Sequence, residues 1–332
     1  MSAPGAPPVT PTPRNTDLLL VVVLGILWGS AFPLIRAGIV AGAPPLLFAS
    51  VRYLLTAAVL VPVALVTRAP LPRREVLLVP VLLGGLIMIG AYGVLLYLGE
   101  DTTSGGLAAI LTASAPLASA VIGYRFLPAE RLGTSGVVGL LVGFGGVGVL
   151  VLPQLLGSTS MGATGPLLVV AAVISFAAGS VFLRRSSRAA PGFWLLAMQF
   201  AVGGALAGVL GLGLGEPRTL GNLSITGPAL VFLVVLTGIV GYSLYFRIHH
   251  TSGPTTANVV GYVNPVTGVL VGLLIFGELV TPIEIVGLIL IAAGLFLLQR
   301  DRRPRRSTTL QPKEPNRASG PGGAGPVHPD QR

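Results

Sequence analysis

Long apolar stretches alternate with short polar connections along most of this chain of 332 residues. Since the hydrocarbon core of a bilayer is about 30 Å thick, a helix needs about 20 apolar residues to cross it. Ten stretches are long enough, and we therefore predict an all-α fold, a polytopic membrane protein of ten transmembrane helices. The predicted helices span residues 18–39, 45–67, 76–99, 104–127, 134–152, 166–183, 192–213, 228–248, 255–276 and 282–298.

The second half of the chain repeats landmarks of the first half. Pro116 in the fourth predicted helix corresponds to Pro265 in the ninth, and Glu130 and Glu278 follow where these two helices end. The repeat is five helices long, and because five is an odd number the second copy enters the membrane from the opposite side. We therefore predict two inverted-topology five-helix repeats, an arrangement found in secondary transporters.

Basic residues are distributed unequally between the two sides of the predicted bundle. One side carries most of the arginines, whereas the other carries only Arg36 and Arg218, beside three acidic residues that include Glu100. Because short cytoplasmic loops are enriched in Lys and Arg, both termini are predicted to be cytoplasmic, in a cell inner membrane. The predicted parts are a disordered N-terminus at 1–17, repeat one at 18–152, an extracytoplasmic linker at 153–165, repeat two at 166–298 and a disordered basic tail at 299–332.

Composition excludes several other classes of protein. Hydrophobic residues make up 52% of the chain and charged residues 10%, whereas a soluble domain has roughly a quarter of charged residues. The net charge of +10 is spread over the connections and the tail, so no nucleic-acid partner is expected. The chain has no cysteine, and His249 and His250 have no third ligand nearby, so we expect neither a metal nor another cofactor. Without a His-Glu-x-x-His motif, and without a His or acidic residue in the middle of a predicted helix to activate a nucleophile, an enzyme is not expected.

Several motifs resemble those of a known family. They are Leu-Trp-Gly-Ser-Ala-Phe-Pro at residues 27–33, Val-Arg-Tyr at 51–53, and the stretches that lead from Pro116 to Glu130 and from Pro265 to Glu278. In this order they resemble the drug/metabolite transporter superfamily, specifically its EamA-type permeases with two EamA domains, over residues 19–298. The chain departs from the family pattern at Phe176, which stands in the second repeat at the position that corresponds to Trp28 in the first.

The resemblance implies a permease that exports a small organic metabolite, such as an amino acid or a toxic analogue, by alternating access. A nucleotide-sugar carrier, another metabolite carrier of the same superfamily and a membrane channel are the alternatives. The expected partners are the small-molecule substrate and the lipid bilayer. The sequence favours no particular oligomeric state.

Pro116 and Pro265 lie near the middle of their predicted helices. A proline has no N–H and displaces the carbonyl group four residues earlier, here that of Thr112 or Gly261. The two kinks could line a central cavity, or they could simply pack among small residues. Their symmetric placement favours the cavity.

Arg52 is the basic residue that lies deepest in a predicted helix, about seven positions from the outer end, or ~10 Å at ~1.5 Å per residue. Charge inside a membrane is costly and marks functional sites. The guanidinium group could attract a substrate carboxylate or phosphate, or it could bond to neighbouring carbonyl groups and fix helix packing. Its counterpart in the second repeat, Gln199, is neutral, which argues against a symmetric anion clamp.

Aromatic and polar residues of the same helices complete the candidate substrate path. For each of them, packing or anchoring at the membrane interface is the alternative. Glu130 and Glu278 are expected to cap helices or pair with arginines rather than to carry protons, because no Asp or Glu lies in the middle of a predicted helix. The candidate path consists of Trp28, Ser30, Phe32, Arg52, Tyr92, Thr112, Ser114, Pro116, Gln199, Tyr242, Asn258, Tyr262, Asn264 and Pro265, and Tyr97 and Tyr245 have the same character.

Overall fold

The computed structural model describes residues 15–71, 80–126, 132–156, 162–186, 192–257 and 259–301. Almost all of these residues are helical, and no strand occurs among them. The predicted disordered termini lie mostly outside the described residues. Part of the predicted linker, Glu130 and Asn258 lie outside them as well.

The first repeat contains five helices. They are α1 (Asn15–Gly29 and Ala31–Val40), α2 (Pro45–Val66), α3 (Pro80–Glu100), α4 (Gly105–Thr112 and Ala115–Phe126) and α5 (Thr134–Leu155). The break in α1 lies at Ser30, three residues before Pro33, and the break in α4 lies just before Pro116. Each proline lacks the N–H that would bond to the carbonyl group four residues earlier, so both breaks follow from the sequence.

The second repeat contains five more helices. They are α6 (Thr164–Ser186), α7 (Phe193–Gly213), α8 (Leu223–Val231, continued by Phe232–Val240 and Gly241–Ala257), α9 (Val260–Phe276) and α10 (Pro282–Asp301). The predicted fold of ten helices is confirmed, but the ninth predicted helix, from residue 255, starts too early. The α8 helix runs on through a polar stretch to Ala257, and hydropathy detects the end of an apolar run rather than the end of a helix.

Nine helices in the described part of the chain are long and apolar enough to cross a bilayer. The remaining one, α9, is apolar and has 17 residues. We call the side of the bundle where α1 begins the first face and the other side the second face. Since α5 ends at the second face, α6 begins there, and the second repeat is inverted relative to the first.

Contacts between helices follow an approximate two-fold relation between the repeats. The α1 helix packs against α9, and its counterpart α6 packs against α4. Likewise α3 packs against α6 and α8 packs against α1, while α2 pairs with α7 and α5 with α10. Glycines allow the last pair to approach closely, because Gly139 and Gly143 lie against Gly294. The two repeats are therefore interleaved.

The α3 and α8 helices each contain a π-helical segment at corresponding places. These segments are Gly84–Ala91 and Phe232–Val240. At the end of each, a backbone N–H bonds to the carbonyl group five residues earlier, as from Gly241 to Leu236. Such widened turns are rare and occur often at functional sites. They change which carbonyl groups face the neighbouring helices.

Candidate functional site

Trp28 lies at the break in α1 and faces the π-helical segment of α8. Its Nε1 donates to the carbonyl oxygen of Thr237 at 3.1 Å. In an α-helix that carbonyl group would receive the N–H of Gly241, which bonds to Leu236 instead. The indole ring also packs against Tyr242, with ring centres 5.3 Å apart. The widened helix therefore offers a backbone acceptor to a side chain of the other repeat.

The side chain of Arg52 reaches from α2 to both α3 and α8. Its Nη1 donates to the hydroxyl of Tyr97 at 3.1 Å, and its Nη2 donates to the hydroxyl of Thr237 at 3.4 Å. The Thr237 hydroxyl donates in turn to the carbonyl oxygen of Leu233. Both partners of the guanidinium are neutral, and no ion pair to it occurs within the described ranges. We call Arg52, Tyr97, Thr237, Trp28 and Tyr242 the Arg52 cluster.

A row of aromatic rings includes the three rings of this cluster and extends beyond them. Neighbouring ring centres are between 5.3 and 6.3 Å apart. The rings come from both repeats, so the row crosses their interface. Such rings provide apolar contact area for an organic molecule, while a guanidinium binds anionic groups. In order of contact, the row consists of Phe48, Tyr97, Tyr53, Phe200, Tyr242 and Trp28, and Tyr245 also contacts Trp28.

The corresponding place at the π-helical segment of α3 has a different chemistry. Phe176 of α6 packs against Tyr92, with ring centres 5.4 Å apart, just as Trp28 packs against its tyrosine. The side chain that donates into the π-helical segment is Ser175, whose hydroxyl bonds to the carbonyl oxygen of Ile87 at 2.8 Å. A small hydroxyl thus replaces the indole N–H of the other half.

Gln199, the counterpart of Arg52, is buried in the contact between α7 and α3. Its Nε2 donates to the carbonyl oxygen of Pro80 at 3.1 Å, and its side chain lies against Gly84 at the start of the π-helical segment. Only 2% of the residue is exposed. The structure therefore places this candidate path residue in a helix contact, with hydrogen-bond partners that differ from those of Arg52.

Several other candidate residues bond within their own helices. The hydroxyl groups of Ser30, Thr112 and Ser114 donate to carbonyl oxygens three or four residues earlier, at 2.7 to 2.9 Å. Phe32 is buried in the apolar core, and Tyr262 packs at its edge. In the described part of the chain, none of these hydroxyl groups bonds to the Arg52 cluster.

The two prolines of the repeats lie in different environments. Pro116 is exposed, whereas Pro265 is buried. Beside Pro265, Asn264 lies against Gly29 at the break in α1. With its amide nitrogen directed toward α1, Asn264 donates to the carbonyl oxygen of Gly25 at 3.2 Å. Of the predicted pair, the α9 proline therefore borders the interior at the broken helix.

Glutamates close two helix N-termini at the second face. Glu278 accepts hydrogen bonds from the first two N–H groups of α4, at 2.9 and 2.8 Å. Glu216 accepts from Leu46 and Leu47 at the start of α2, at 3.0 and 2.8 Å. A carboxylate at this position satisfies free N–H groups and interacts favourably with the helix dipole. Each of the two side chains ties the second repeat to the first.

A cavity of about 740 Å³ opens at the second face. Its wall is formed by the ends of α1 and α9 and the beginnings of α4 and α10. Polar and charged side chains line part of it, a mixture typical of small-molecule sites. They include Arg36, Thr103, Ser104, Glu278 and Glu284.

The environment of Glu100, the last residue of α3, differs most from the sequence-based prediction, which placed this residue in a polar connection between helices. Its side chain is 0% exposed, and neither carboxylate oxygen has a hydrogen-bond partner among the described residues. Arg36 donates to the carbonyl oxygens of Glu100 and Asp101 at 2.7 and 2.5 Å, so α1 covers the end of α3. Thr237 was missed as well, because one threonine in an apolar run carries no signal.

Comparisons with known proteins agree with this architecture. The model of the EamA-like transporter family matches residues 16–152 and 163–300. A protein named "Uncharacterized transporter YvbV" of Bacillus subtilis is 25% identical over 302 residues, which cover 90% of this chain and 96% of that protein. A protein named "Uncharacterized inner membrane transporter YedA" of Escherichia coli is 28% identical over 277 residues, covering 83% of this chain and 88% of that protein.

Two further similarities concern function and fold. A protein of Salmonella typhimurium named "Probable amino-acid metabolite efflux pump" is 26% identical over 312 residues, covering 89% of this chain and 98% of that protein. A crystal structure with 22% identity covers 88% of this chain and 100% of its own, with a TM-score of 0.59. At that identity the crystal structure shows a similar fold.

Proposed function

This chain belongs to the EamA-like transporter family, and we propose that it exports a small organic metabolite with a carboxylate group, such as an amino acid or a toxic analogue. The observation that carries the proposal is the position of Arg52, whose guanidinium lies inside a membrane-spanning helix and bonds to neutral hydroxyl groups. Two inverted, interleaved repeats are the architecture in which alternating access occurs around a site between them.

The chemistry of the guanidinium supports a carboxylate. A charge inside a membrane is costly unless it is compensated. A guanidinium has five N–H donors, and the described contacts of Arg52 engage one from each terminal nitrogen. The remaining donors can bind a carboxylate, whose two oxygens match the fork of an arginine. The substrate would then supply the missing negative charge.

The surroundings of Arg52 support an organic solute. The aromatic row offers apolar surface for a side chain of the substrate, and in it Trp28 bonds to Thr237 and packs against Tyr242. The relative named as an amino-acid metabolite efflux pump covers nearly the same length of chain. A nucleotide sugar is less well supported, because its diphosphate would favour a second cation beside Arg52, and the Arg52 cluster as described contains none.

We also infer that the first face is cytoplasmic, since it carries most of the arginines. The chain has no cysteine, so single cysteines can be placed at Thr67 on the first face and Thr219 on the second. In intact cells, a membrane-impermeant thiol reagent should label T219C and leave T67C unlabelled. Labelling of T67C alone would show that the orientation in the membrane is the opposite of the one inferred.

Transport itself can be tested by counterflow. Liposomes that contain the full chain and an unlabelled mixture of the 20 common L-amino acids would be diluted into trace amounts of the labelled mixture. We expect transient accumulation of label, which is absent with protein-free liposomes and with the variant that carries both Trp28→Ala and Arg52→Ala. Accumulation by that variant would show that the Arg52 cluster is not the site, and no accumulation with the unaltered chain would contradict amino acids as substrates.

A further inference from the structure

The contacts of the buried Glu100 carboxyl group do not indicate a structural function. Glu278 and Glu216, in contrast, each accept two backbone hydrogen bonds at a helix N-terminus. Both oxygens of Glu100 are shielded from water and accept no hydrogen bond within the described ranges. An unpaired carboxylate in such surroundings is costly. An acidic residue buried inside a membrane protein is therefore expected to bind a proton or a group of the substrate.

Glu100 lies between the Arg52 cluster and the cavity at the second face. Three residues before it, Tyr97 accepts a hydrogen bond from Arg52. Three residues after it, Thr103 lines the cavity, and its buried hydroxyl also has no partner among the described residues. Arg36, which lines the cavity too, holds the carbonyl group of Glu100. Glu100 does not line the cavity itself, but it is flanked in the chain by a residue of the cluster and by a residue of the cavity wall.

The charged groups around Glu100 are already engaged elsewhere. Arg36 donates to two backbone carbonyl groups, and Arg52 donates to two hydroxyl groups. Both cations lie within electrostatic range of the carboxyl group, yet neither forms an ion pair with it in the described structure. The titratable residues described in α4, Tyr124 and Arg125, lie at its opposite end, and no side chain described in α6 or α7 is titratable. The titratable and charged groups that face Glu100 are Arg36 from α1, Arg52 and Tyr53 from α2, Tyr92 and Tyr97 from α3, and Glu278 after α9.

We propose that Glu100 is the acidic half of a substrate site whose basic half is Arg52, and that it binds either a proton or the ammonium group of an amino acid. This inference rests on the proposed function. In the empty site Glu100 is protonated and Arg52 is charged. In the loaded site the substrate ammonium faces the Glu100 carboxylate and the substrate carboxylate faces Arg52, so one proton is released for each amino acid bound. A carrier that returns with the proton exchanges amino acid for proton.

Binding measurements on the full chain in detergent test this inference without relying on transport. The probes are L-leucine and 4-methylpentanoate, which has the same carbon skeleton without the ammonium group. For the unaltered chain we expect leucine to bind more tightly at pH 8 than at pH 5.5, because protons compete for Glu100. At pH 8 we also expect leucine to bind at least tenfold more tightly than 4-methylpentanoate.

Glu100→Gln should remove both effects, with leucine affinity independent of pH and the preference over 4-methylpentanoate reduced to about twofold. The matched control is Asp101→Asn, which removes the same charge one residue further along at an exposed position. It should behave like the unaltered chain. Glu100→Asp, which keeps the acid, should keep the pH dependence with weaker binding, and it serves as the second variant if Glu100→Gln fails to fold.

The outcomes separate this inference from the proposed function. If leucine binds and Glu100→Gln retains the pH dependence and the preference for leucine, the assignment of Glu100 is wrong while amino-acid transport stands. If leucine does not bind, the same pair of measurements uses the amino acid found by counterflow and its analogue without the ammonium group. If none of the 20 amino acids is bound or carried, both proposals fail. If the melting temperatures of both Glu100→Gln and Glu100→Asp lie far below that of Asp101→Asn, Glu100 has a structural role and the assignment is also contradicted.

Discussion

Trp28 and Phe176 occupy corresponding places in the two repeats, and each packs against a tyrosine of the other repeat at nearly the same distance, 5.3 and 5.4 Å between ring centres. Each tyrosine follows a π-helical segment, and each segment receives a side-chain donor from the opposite repeat. The backbone of the two halves is therefore closely similar. Inverted repeats of this kind place two similar sets of helices around one interior. We call the set around Trp28 and the π-helical segment of α8 the first frame, and the set around Phe176 and the π-helical segment of α3 the second frame.

The chemistry of the two frames differs. In one of them Trp28 and Arg52 meet at Thr237. In the other, Gln199 is bonded to a backbone carbonyl group in a helix contact. The comparison teaches that the repeat sets the positions of the π-helical segments, while single side chains determine the chemistry beside each of them. A substrate with one carboxylate would consequently have one preferred orientation in the site.

The largest expected effect on transport comes from removing the charge of Arg52, which leaves a neutral side chain at this position in both repeats. Arg52→Gln should reduce counterflow about 10- to 100-fold, because a hydrogen bond to a charged group contributes about 1.5–3 kcal/mol and each 1.4 kcal/mol is tenfold in affinity. Arg125→Gln is the control, since it removes an exposed arginine at the end of α4. Initial rates at equal amounts of reconstituted protein measure the effect. Equal rates for the two variants would make the difference between the frames irrelevant to transport.

The next effect concerns the indole N–H that distinguishes Trp28 from Phe176. Trp28→Phe keeps the ring beside Tyr242 and removes an internal hydrogen bond worth about 1 kcal/mol. Because that bond positions the ring at the proposed site, affinity should fall by at most about fivefold. Trp194→Phe is a closely matched control, because its indole also donates to a carbonyl oxygen at 3.1 Å, that of Ala69.

The Trp194→Phe variant also allows substrate binding near Trp28 to be followed by fluorescence. The chain has two tryptophans, so Trp194→Phe leaves Trp28 as the single indole fluorophore, beside Arg52. Its emission should change on titration with a transported amino acid. An unchanged emission, with transport intact, would place the substrate away from Trp28.

The ten helices and the repeat could be predicted because bilayer thickness sets the length of an apolar run, and because prolines and glutamates mark equivalent positions. The sequence also indicated Trp28 and Arg52 as candidate residues of the substrate path, which stays a prediction, and the structure brings both side chains to Thr237. Gln199 could not be separated from them in this way. In a helix that is apolar on all sides, the pattern does not show which face contacts a neighbour, and only the packing of α7 against α3 decides it.

Glu100 shows a second reason why the site was only partly predictable. Glu100 and the polar residues after it have the composition of a surface connection. Its burial depends on Arg36, which is distant in sequence and covers the end of α3. A contact between residues so far apart leaves no trace in local composition, so the burial of Glu100 at the end of α3 could not be predicted from the sequence.

A smaller effect on transport and a clear effect on stability are expected from Gln199. Gln199→Leu would leave the carbonyl group of Pro80 without its side-chain donor in a buried place, which costs about 1–3 kcal/mol. The melting temperature in detergent should therefore fall, while the counterflow rate per folded molecule should stay within twofold. A loss of transport as large as that of Arg52→Gln, with unchanged melting temperature, would instead assign Gln199 to the substrate path.

The smallest effect is expected at Ser175, the donor that replaces the indole N–H in the second frame. Ser175→Ala removes its bond to the carbonyl oxygen of Ile87, and hydrogen bonds between membrane helices average about 0.6 kcal/mol. Ser243→Ala is the control, because that hydroxyl bonds to Ile239 in its own helix. We expect a slightly lower melting temperature for Ser175→Ala than for Ser243→Ala and the same transport rate for both. If Ser175→Ala instead slowed transport as much as Trp28→Phe, the two π-helical segments would contribute equally, and the difference between the frames would rest on Arg52 alone.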